Sequence, residues 1–321
     1  MKIKMTSLTD IATKLKEKDC FCILTHQYPD GDTLGSACAL CKALQKTGKM
    51  AKVLNNNEIP QKYNFLFNGI INQDFMPEYI ISVDVANTTL LGNNLSEYKD
   101  KINLKIDHHI ETTPFAQTSY IDPTAASTAE IIYSLINAMY VSIDKDIANA
   151  LYTGISTDTG CFKYANVTPE THKIAARMIE LGADHYLINK IMFDTKSKHR
   201  IELEKLVYNS IEYYFESKCA VISITNKMLL ESSVKDEGDL EGFASIPRKI
   251  EGVLVGVTLR EKEDGVFKIS VRTDEKLDAS KICMHLGGGG HKAAAGCTVK
   301  GGIEKAKNQI LQAIKTEMEN L

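Results

Sequence analysis

The sequence predicts an α/β fold, a doubly wound parallel sheet followed by a smaller α+β domain. Two observations carry this. In the first half, short apolar runs of strand length alternate with segments of helical periodicity. In the second half that alternation gives way to a hairpin signal and one closing helix.

In chain order, strand-like runs occupy 21–24, 51–54, 79–83 and 104–106. Between the first two, residues 33–46 place Leu34, Ala37, Cys38, Cys41 and Leu44 at three- and four-residue spacing, and Gly48 supplies a stop signal. Further helical patterns cover 128–139, 145–156 and 169–181, the last ending at Gly182. Residues 194–216 are charged and helical with no turn chemistry inside. They predict a helical linker between a first domain of 1–193 and a second of 217–321. In the second domain "CAVISIT" reads as a strand, and "GVLVGVTLRE" with "VFKISVRT" reads as a hairpin about the turn "KEDG". "GGGGHKAAAGCTV" leads into a C-terminal helix.

With 321 residues, each domain can bury its own core. A net charge of -3 lacks the basic excess of a protein that grips long duplex nucleic acid, yet leaves room for a short nucleotide ligand. The N-terminal stretch has no signal-peptide run, and no window approaches the ~20 apolar residues of a membrane span. A cytoplasmic protein without membrane partners is expected. Of eight cysteines, Cys38 and Cys41 form a CxxC without a second pair, and they read as buried thiols on a helix.

The chemistry lies in four clusters. His26, Asp30 and Asp32 follow the first strand; Asp84 ends "YIISVD"; Asp107, His108 and His109 follow "NLKI"; Asp158 closes a helical run. Three of the four stand at carboxyl ends of predicted parallel strands, the edge where open α/β sheets gather ligands. Carboxylates with imidazoles and no thiolate suit Mn²⁺, Mg²⁺, Co²⁺ or Zn²⁺. Four aspartates gathered together need counter-charge, and two divalent ions supply it. Two ions roughly 3.5–4 Å apart can clamp a phosphate for in-line attack. Gly31, between two of the carboxylates, allows them to diverge or takes a positive φ in a turn.

A phosphate at such a centre needs further donors. Gly287, Gly288, Gly289 and Gly290 offer backbone N–H groups from a loop free of side chains, His291 adds a donor, and Arg272 a guanidinium fork. Arg248 and Arg260 are secondary candidates. Ser127 and Thr128 fit the N-terminal cap of a helix facing the site. Substrate is expected to enter a cleft between the two domains.

"THQYPDGDTLGS", "SVDVAN", "IDHHI" and "GISTDTGCF" together resemble the four motifs of the DHH phosphoesterase superfamily. "GGGGHKAAAG" resembles the signature of the DHH-associated domain. The likeness covers nearly the whole chain and is nearest to the group of bacterial nano-RNases and pAp phosphatases. It implies one ion held by His26, Asp30 and Asp84, and a second held by Asp32, Asp84, His108 and Asp158, with Mn²⁺ foremost. Asp107 would orient the imidazoles from behind. His109 would face the phosphate, so His109, Asp84 and Asp107 form the implied catalytic set.

The implied activity is hydrolysis of RNA of two to five nucleotides to mononucleotides, with removal of the 3′-phosphate of 3′-phosphoadenosine 5′-phosphate. A phosphodiesterase for cyclic di-AMP or linear dinucleotides such as pApA and pGpG is the alternative within the class. A catalytically dead nucleotide- or RNA-binding module is the alternative outside it, and intact ligand positions argue against that. The implied partners are short single-stranded RNA or a dinucleotide, and a homodimer is compatible with the first domain.

Overall fold

A computed structural model describes residues 4–109, 115–235, 237–240, 242–263, 265–274 and 276–319. Ile110 of "IDHHI" and Asp264 of the turn "KEDG" lie outside them. The chain divides into two units, Met1–Thr195 and Lys196–Leu321.

In the first unit β1 (Lys4–Met5), β2 (Phe21–Leu24), β3 (Ala51–Leu54), β4 (Tyr79–Val83), β5 (Leu104–Asp107) and β6 (Thr118–Ile121) form a parallel sheet in the order β1-β6-β5-β4-β2-β3. Both faces of β2, β4 and β5 are buried; β2 is apolar throughout, while β4 and β5 also bury Ser82, Lys105 and Asp107. On one face Phe21, Ile23, Ile81 and Val83 meet α1 (Leu8–Glu17), α2 (Gly31–Lys46), α3 (Thr128–Ala138) and α4 (Lys145–Asp158). α5 (Pro169–Glu180) and α6 (His185–Asn189) extend that layer. On the other face Cys22, Leu24 and Ile80 pack with Val85, Leu91 and Leu95, carried by short 3₁₀ turns and loops.

Strand order places a topological switch at the sheet's centre. From β2 the chain crosses outward to β3, then returns to β4 on the other side of β2. The crevice between the carboxyl ends of β2 and β4 is therefore the expected ligand position. Among the elements named above, β1, α1, β6 and α6 went unforeseen. α1 is held by a capping box at Ser7 and Asp10, a local signal hidden among lysines.

The second unit holds α7 (Lys198–Asn209), β7 (Glu212–Tyr214), β8 (Cys219–Ile224), α8 (Asn226–Ser232), β9 (Val255–Glu263), β10 (Val266–Thr273), α9 (Ala279–Met284), β11 (Gly289–His291), β12 (Ala294–Lys300) and α10 (Ile303–Met318). Its sheet runs β11-β12-β10-β9-β8-β7, antiparallel except for β8 with β9. α9 and α10 cover one face through Ile282, Ile310 and Ile314.

The helix expected over 194–216 is shorter. It ends at Asn209, where the Ser210 hydroxyl donates to the Val207 carbonyl at 2.7 Å and accepts from Ser223 N–H at 3.1 Å. Glu212 and the aromatic residues Tyr213 and Tyr214 then take strand form in β7. Leu203 and Val207 of α7 pack with Ile222, Ile224 and Phe243, so the helix is a layer of the second unit instead of a free linker. All eight cysteines are free, and Cys38 and Cys41 are buried. Among the described residues no helix is long and apolar enough to cross a membrane.

Candidate metal centre

The loops leaving β2, β4 and β5 deliver the predicted side chains to the switch-point crevice. His26 and Asp30 follow β2; Asp84 follows β4; Asp107 ends β5, with His108 and His109 after it; Asp158 ends α4. One ligand atom from each of His26, Asp30 and Asp84 lies within 4.8 Å of the other two. Asp32, His108 and Asp158 form a second such group, and Asp84, His108 and His109 a third.

Asp84 joins the groups. Its Oδ2 is 3.8 Å from His26 Nε2, while its Oδ1 is 3.7 Å from His108 Nε2 and 3.6 Å from His109 Nδ1. His26 Nε2 also lies 3.5 Å from Asp30 Oδ2, and His108 Nε2 lies 3.4 Å from Asp158 Oδ2 and 4.0 Å from Asp32 Oδ2. Asp84 is 3 % exposed and adopts a left-handed backbone, φ +58°. A non-glycine residue there stores local strain, which often accompanies function.

Helix ends set the other carboxylates. Asp30 caps α2, accepting from the N–H groups of Asp32 and Thr33 at 3.0 Å. Asp32, in the first turn of α2, accepts from the first N–H groups of α3: Thr128 N–H to Oδ2 at 2.7 Å and Ala129 N–H to Oδ1 at 2.9 Å. Thr128 Oγ1 donates to Asp84 Oδ1 at 3.0 Å, and Ser127 is the N-cap. The α3 N-terminus thus faces the site, its partial positive charge opposite the carboxylates. Gly31 is the first residue of α2 and has no positive φ, so the turn alternative is corrected. Its small size answers a close approach: a Cβ there would stand 2.3 Å from Thr157 Oγ1.

Asp107 orients one imidazole, not both. Its Oδ1 accepts from His109 Nδ1 at 2.7 Å, and its Oδ2 pairs with Lys105 Nζ at 3.0 Å. His108 is held instead by the Ala125 carbonyl, 3.3 Å from Nδ1, which leaves Nε2 toward the aspartates. His109 is 46 % exposed at its side chain, with Nε2 as its free nitrogen. Sequence reasoning missed Lys105, whose buried ammonium also donates to the Ala86 carbonyl at 2.9 Å. A lysine within the apolar run "NLKID" was the available signal.

The donor set, imidazole nitrogen and carboxylate oxygen with no sulfur, fits hard or borderline divalent cations. Electrostatics agree with that fit. Burial, and then Asp32 and Asp30, raise Asp84 well above the ordinary carboxylate range, and the same causes raise Asp158 to about 8. Asp32 is also raised, by burial foremost. Against burial, the bond to His26 brings Asp30 down, and His109 with Lys105 bring Asp107 down to about 2.

Three carboxyls therefore keep protons in the folded, metal-free state that they lose when unfolded. For these groups stability falls as pH rises above the ordinary carboxylate range, and for Asp158 the fall runs up to about 8. Metal replaces those protons, so the difference in Tm between metal-loaded and metal-stripped protein is expected to widen between about pH 5 and pH 8. Calorimetry of both forms checks this; a narrowing difference contradicts it.

In the second unit the glycine run is a helix stop and an edge strand, not a free loop. Gly287 N–H donates to Met284 O at 3.0 Å, and Gly289–His291 pairs with Gly296, Ala295 and Ala294 of β12. At Gly290, φ is +147° and a Cβ would stand 2.6 Å from the Ala294 carbonyl oxygen. Arg272 lies opposite Ala294 on β10, and its Nη1 donates to Val271 O at 3.1 Å. Arg248 lines a basic pocket of about 590 Å³ with Thr273, Asp274, Lys276, Lys292 and Ala293. Arg260 lies on β9 opposite Lys268.

Two family models match the chain: the DHH family N-terminal domain over residues 20–155 and the DHHA1 domain over 219–320. The chain is 30% identical over 304 residues to the bifunctional oligoribonuclease and PAP phosphatase NrnA of Thermus thermophilus, covering 92% of this chain and 89% of that one. It is 24% identical to the cyclic-di-AMP phosphodiesterase GdpP of Geobacillus thermodenitrificans, covering 95% of this chain but 48% of that one. The solved structure of an exopolyphosphatase-related protein from Bacteroides fragilis matches with TM-score 0.86 and 27% identity over 96% of each chain.

Proposed function

The chain belongs to the DHH family of phosphoesterases, with a DHHA1 domain after it, and on that premise we propose that it hydrolyses short oligoribonucleotides to mononucleotides and removes the 3′-phosphate of 3′-phosphoadenosine 5′-phosphate. One observation supports this above the rest: the two oxygens of buried Asp84 face separate histidine groups, Oδ2 toward His26 and Oδ1 toward His108. The relative from Thermus thermophilus carries both activities in its name and aligns over nearly its full length.

His26, Asp30 and Asp84 would hold one divalent ion, and Asp32, Asp84, His108 and Asp158 a second, with Mn²⁺ foremost. Bound there, the ions supply a water of lowered pKa and positive charge against the phosphate. The chain's own residues do the remaining work. Asp107 fixes the His109 ring by its 2.7 Å bond and directs Nε2 outward as a proton donor for the leaving oxygen. The bond to Asp107 raises the His109 pKa, which favours its protonated form. The α3 N-terminus keeps Asp32 in place through two backbone N–H groups.

For the second unit we propose substrate binding by Gly289, Gly290 and His291 with Arg272; the predicted Gly287 and Gly288 donors are corrected, since their N–H groups bond Met284 O at 3.0 Å and Cys283 O at 2.9 Å. Exposed edge N–H groups on β11 and the cations of the neighbouring pocket suit an anionic nucleotide. His291→Ala is expected to raise KM for a dinucleotide about tenfold, as for loss of a charge-assisted hydrogen bond, while bound metal per chain is unchanged. Loss of metal in that variant would contradict the assignment.

A turnover panel tests the whole reading. Mn²⁺-loaded protein is expected to hydrolyse dinucleotides, five-nucleotide RNA and 3′-phosphoadenosine 5′-phosphate faster than cyclic di-AMP. Preference for cyclic di-AMP would favour the reading suggested by the half-length match to its phosphodiesterase.

A further inference from the structure

The first unit carries a concavity lined by none of the metal-ligand candidates. β3 ends at Leu54, and "NNNEIP" follows before the 3₁₀ turn Gln61–Phe67. Asn55, Asn57, Glu58, Ile59, Gln61 and Asn64 line a pocket of about 630 Å³, the size of a small-molecule site.

Its polar side chains fall into two sets. One set builds the walls. Asn55 Nδ2 donates to Thr25 Oγ1 at 2.6 Å and to the His26 carbonyl at 2.9 Å, while Asn55 Oδ1 accepts from Asn57 N–H at 2.8 Å. Beside it, Asn56 Oδ1 accepts from Asn94 N–H at 2.7 Å, and the Asn94 amide donates back to Asn56 O at 2.9 Å. The loop is thereby fixed on both sides. The other set has hydrogen-bonding capacity left over: Glu58, Gln61 and Asn64 are exposed, and their side chains have no hydrogen-bond partner among the described residues. Ile59, half-buried against the first core, adds an apolar wall.

The lining selects its occupant. It holds no cation, and Glu58 repels phosphate. Two free amides offer donor and acceptor pairs suited to the edge of a base. A carboxylate accepts two hydrogen bonds at once, which suits the vicinal hydroxyls of a ribose. Asn55 links pocket and metal centre, since the amide on the pocket wall holds the carbonyl of His26. The pocket therefore shares one wall residue with the loop that carries His26.

We propose that this pocket takes the nucleoside of the substrate and that Glu58 reads its ribose hydroxyls, so that the enzyme prefers RNA over DNA. The inference rests on the phosphoesterase reading and adds the sugar specificity.

The test compares wild type, Glu58→Gln and the double variant Gln61→Ala/Asn64→Ala, each loaded with Mn²⁺. Substrates are a ribodinucleotide, its 2′-deoxy counterpart and bis(p-nitrophenyl) phosphate, which has no nucleoside. Wild type is expected to favour the ribodinucleotide. Glu58→Gln should cut the ribo-to-deoxy ratio of kcat/KM about tenfold, and the double variant should raise KM for both dinucleotides about tenfold. Bound metal and turnover of bis(p-nitrophenyl) phosphate should not change. Ratios and KM values within about twofold of wild type in both variants, with that turnover intact, would overturn the pocket assignment alone. Wild type inert toward all three substrates would overturn the phosphoesterase reading and the pocket with it.

Discussion

Asp84→Asn is expected to reduce turnover on the order of 10³-fold or more and to lower bound metal below two ions per chain. Asparagine is the suitable replacement because it tolerates the left-handed backbone at φ +58°, which alanine does not. Shape is preserved while the charge facing both histidine groups is removed. The same change should raise the Tm of the metal-free protein, since it deletes a buried carboxyl crowded by Asp32, Asp30 and Asp158. A variant that loses activity, binds metal poorly and melts higher when stripped separates a metal-holding role from a folding role. Near wild-type turnover would refute the shared-ligand assignment.

Lys105→Met is expected to destabilise the first unit by about 3–5 kcal/mol, the usual result of leaving one member of a buried ion pair behind. Lys105 and Asp107 both have side chains that are 0% exposed, and 3.0 Å separates them. The lost ammonium also served the Ala86 carbonyl, two residues beyond Asp84. Denaturant unfolding reads the loss. The double variant Lys105→Met/Asp107→Asn should recover part of it, because the orphaned charge is gone. A single variant as stable as wild type would mean that the pair contributes nothing.

Much of the first unit was legible because its chemistry is written in local order. β2, β3 and β4 are short, mostly apolar runs with turn signals at their ends, and the carboxyl ends of β2, β4 and β5 carry the aspartates and histidines in plain view. What stayed hidden is long-range. Nothing near Asp32 announces that the N–H groups of Thr128 and Ala129 hold it, 96 and 97 residues away. Nothing in "DHH" says that its aspartate serves His109 while a carbonyl at Ala125 serves His108. The helix over 194–216 was overdrawn for the opposite reason. Charge patterning continued past Asn209, but a single hydroxyl at Ser210 and pairing with β8 overrode it. The glycine run read as loop because glycine carries no periodicity, although its pairing with β12 makes it a strand.

That strand, β11, has a bearing on solubility. Among the described residues it lies at the edge of its sheet, and an open edge is a template on which another chain can add a strand and begin to aggregate. β11 offers little to such a template. It is three residues long, two of them glycine, with no apolar side chain to bury against a neighbour. An edge of this kind is too short and too bare to recruit a second sheet.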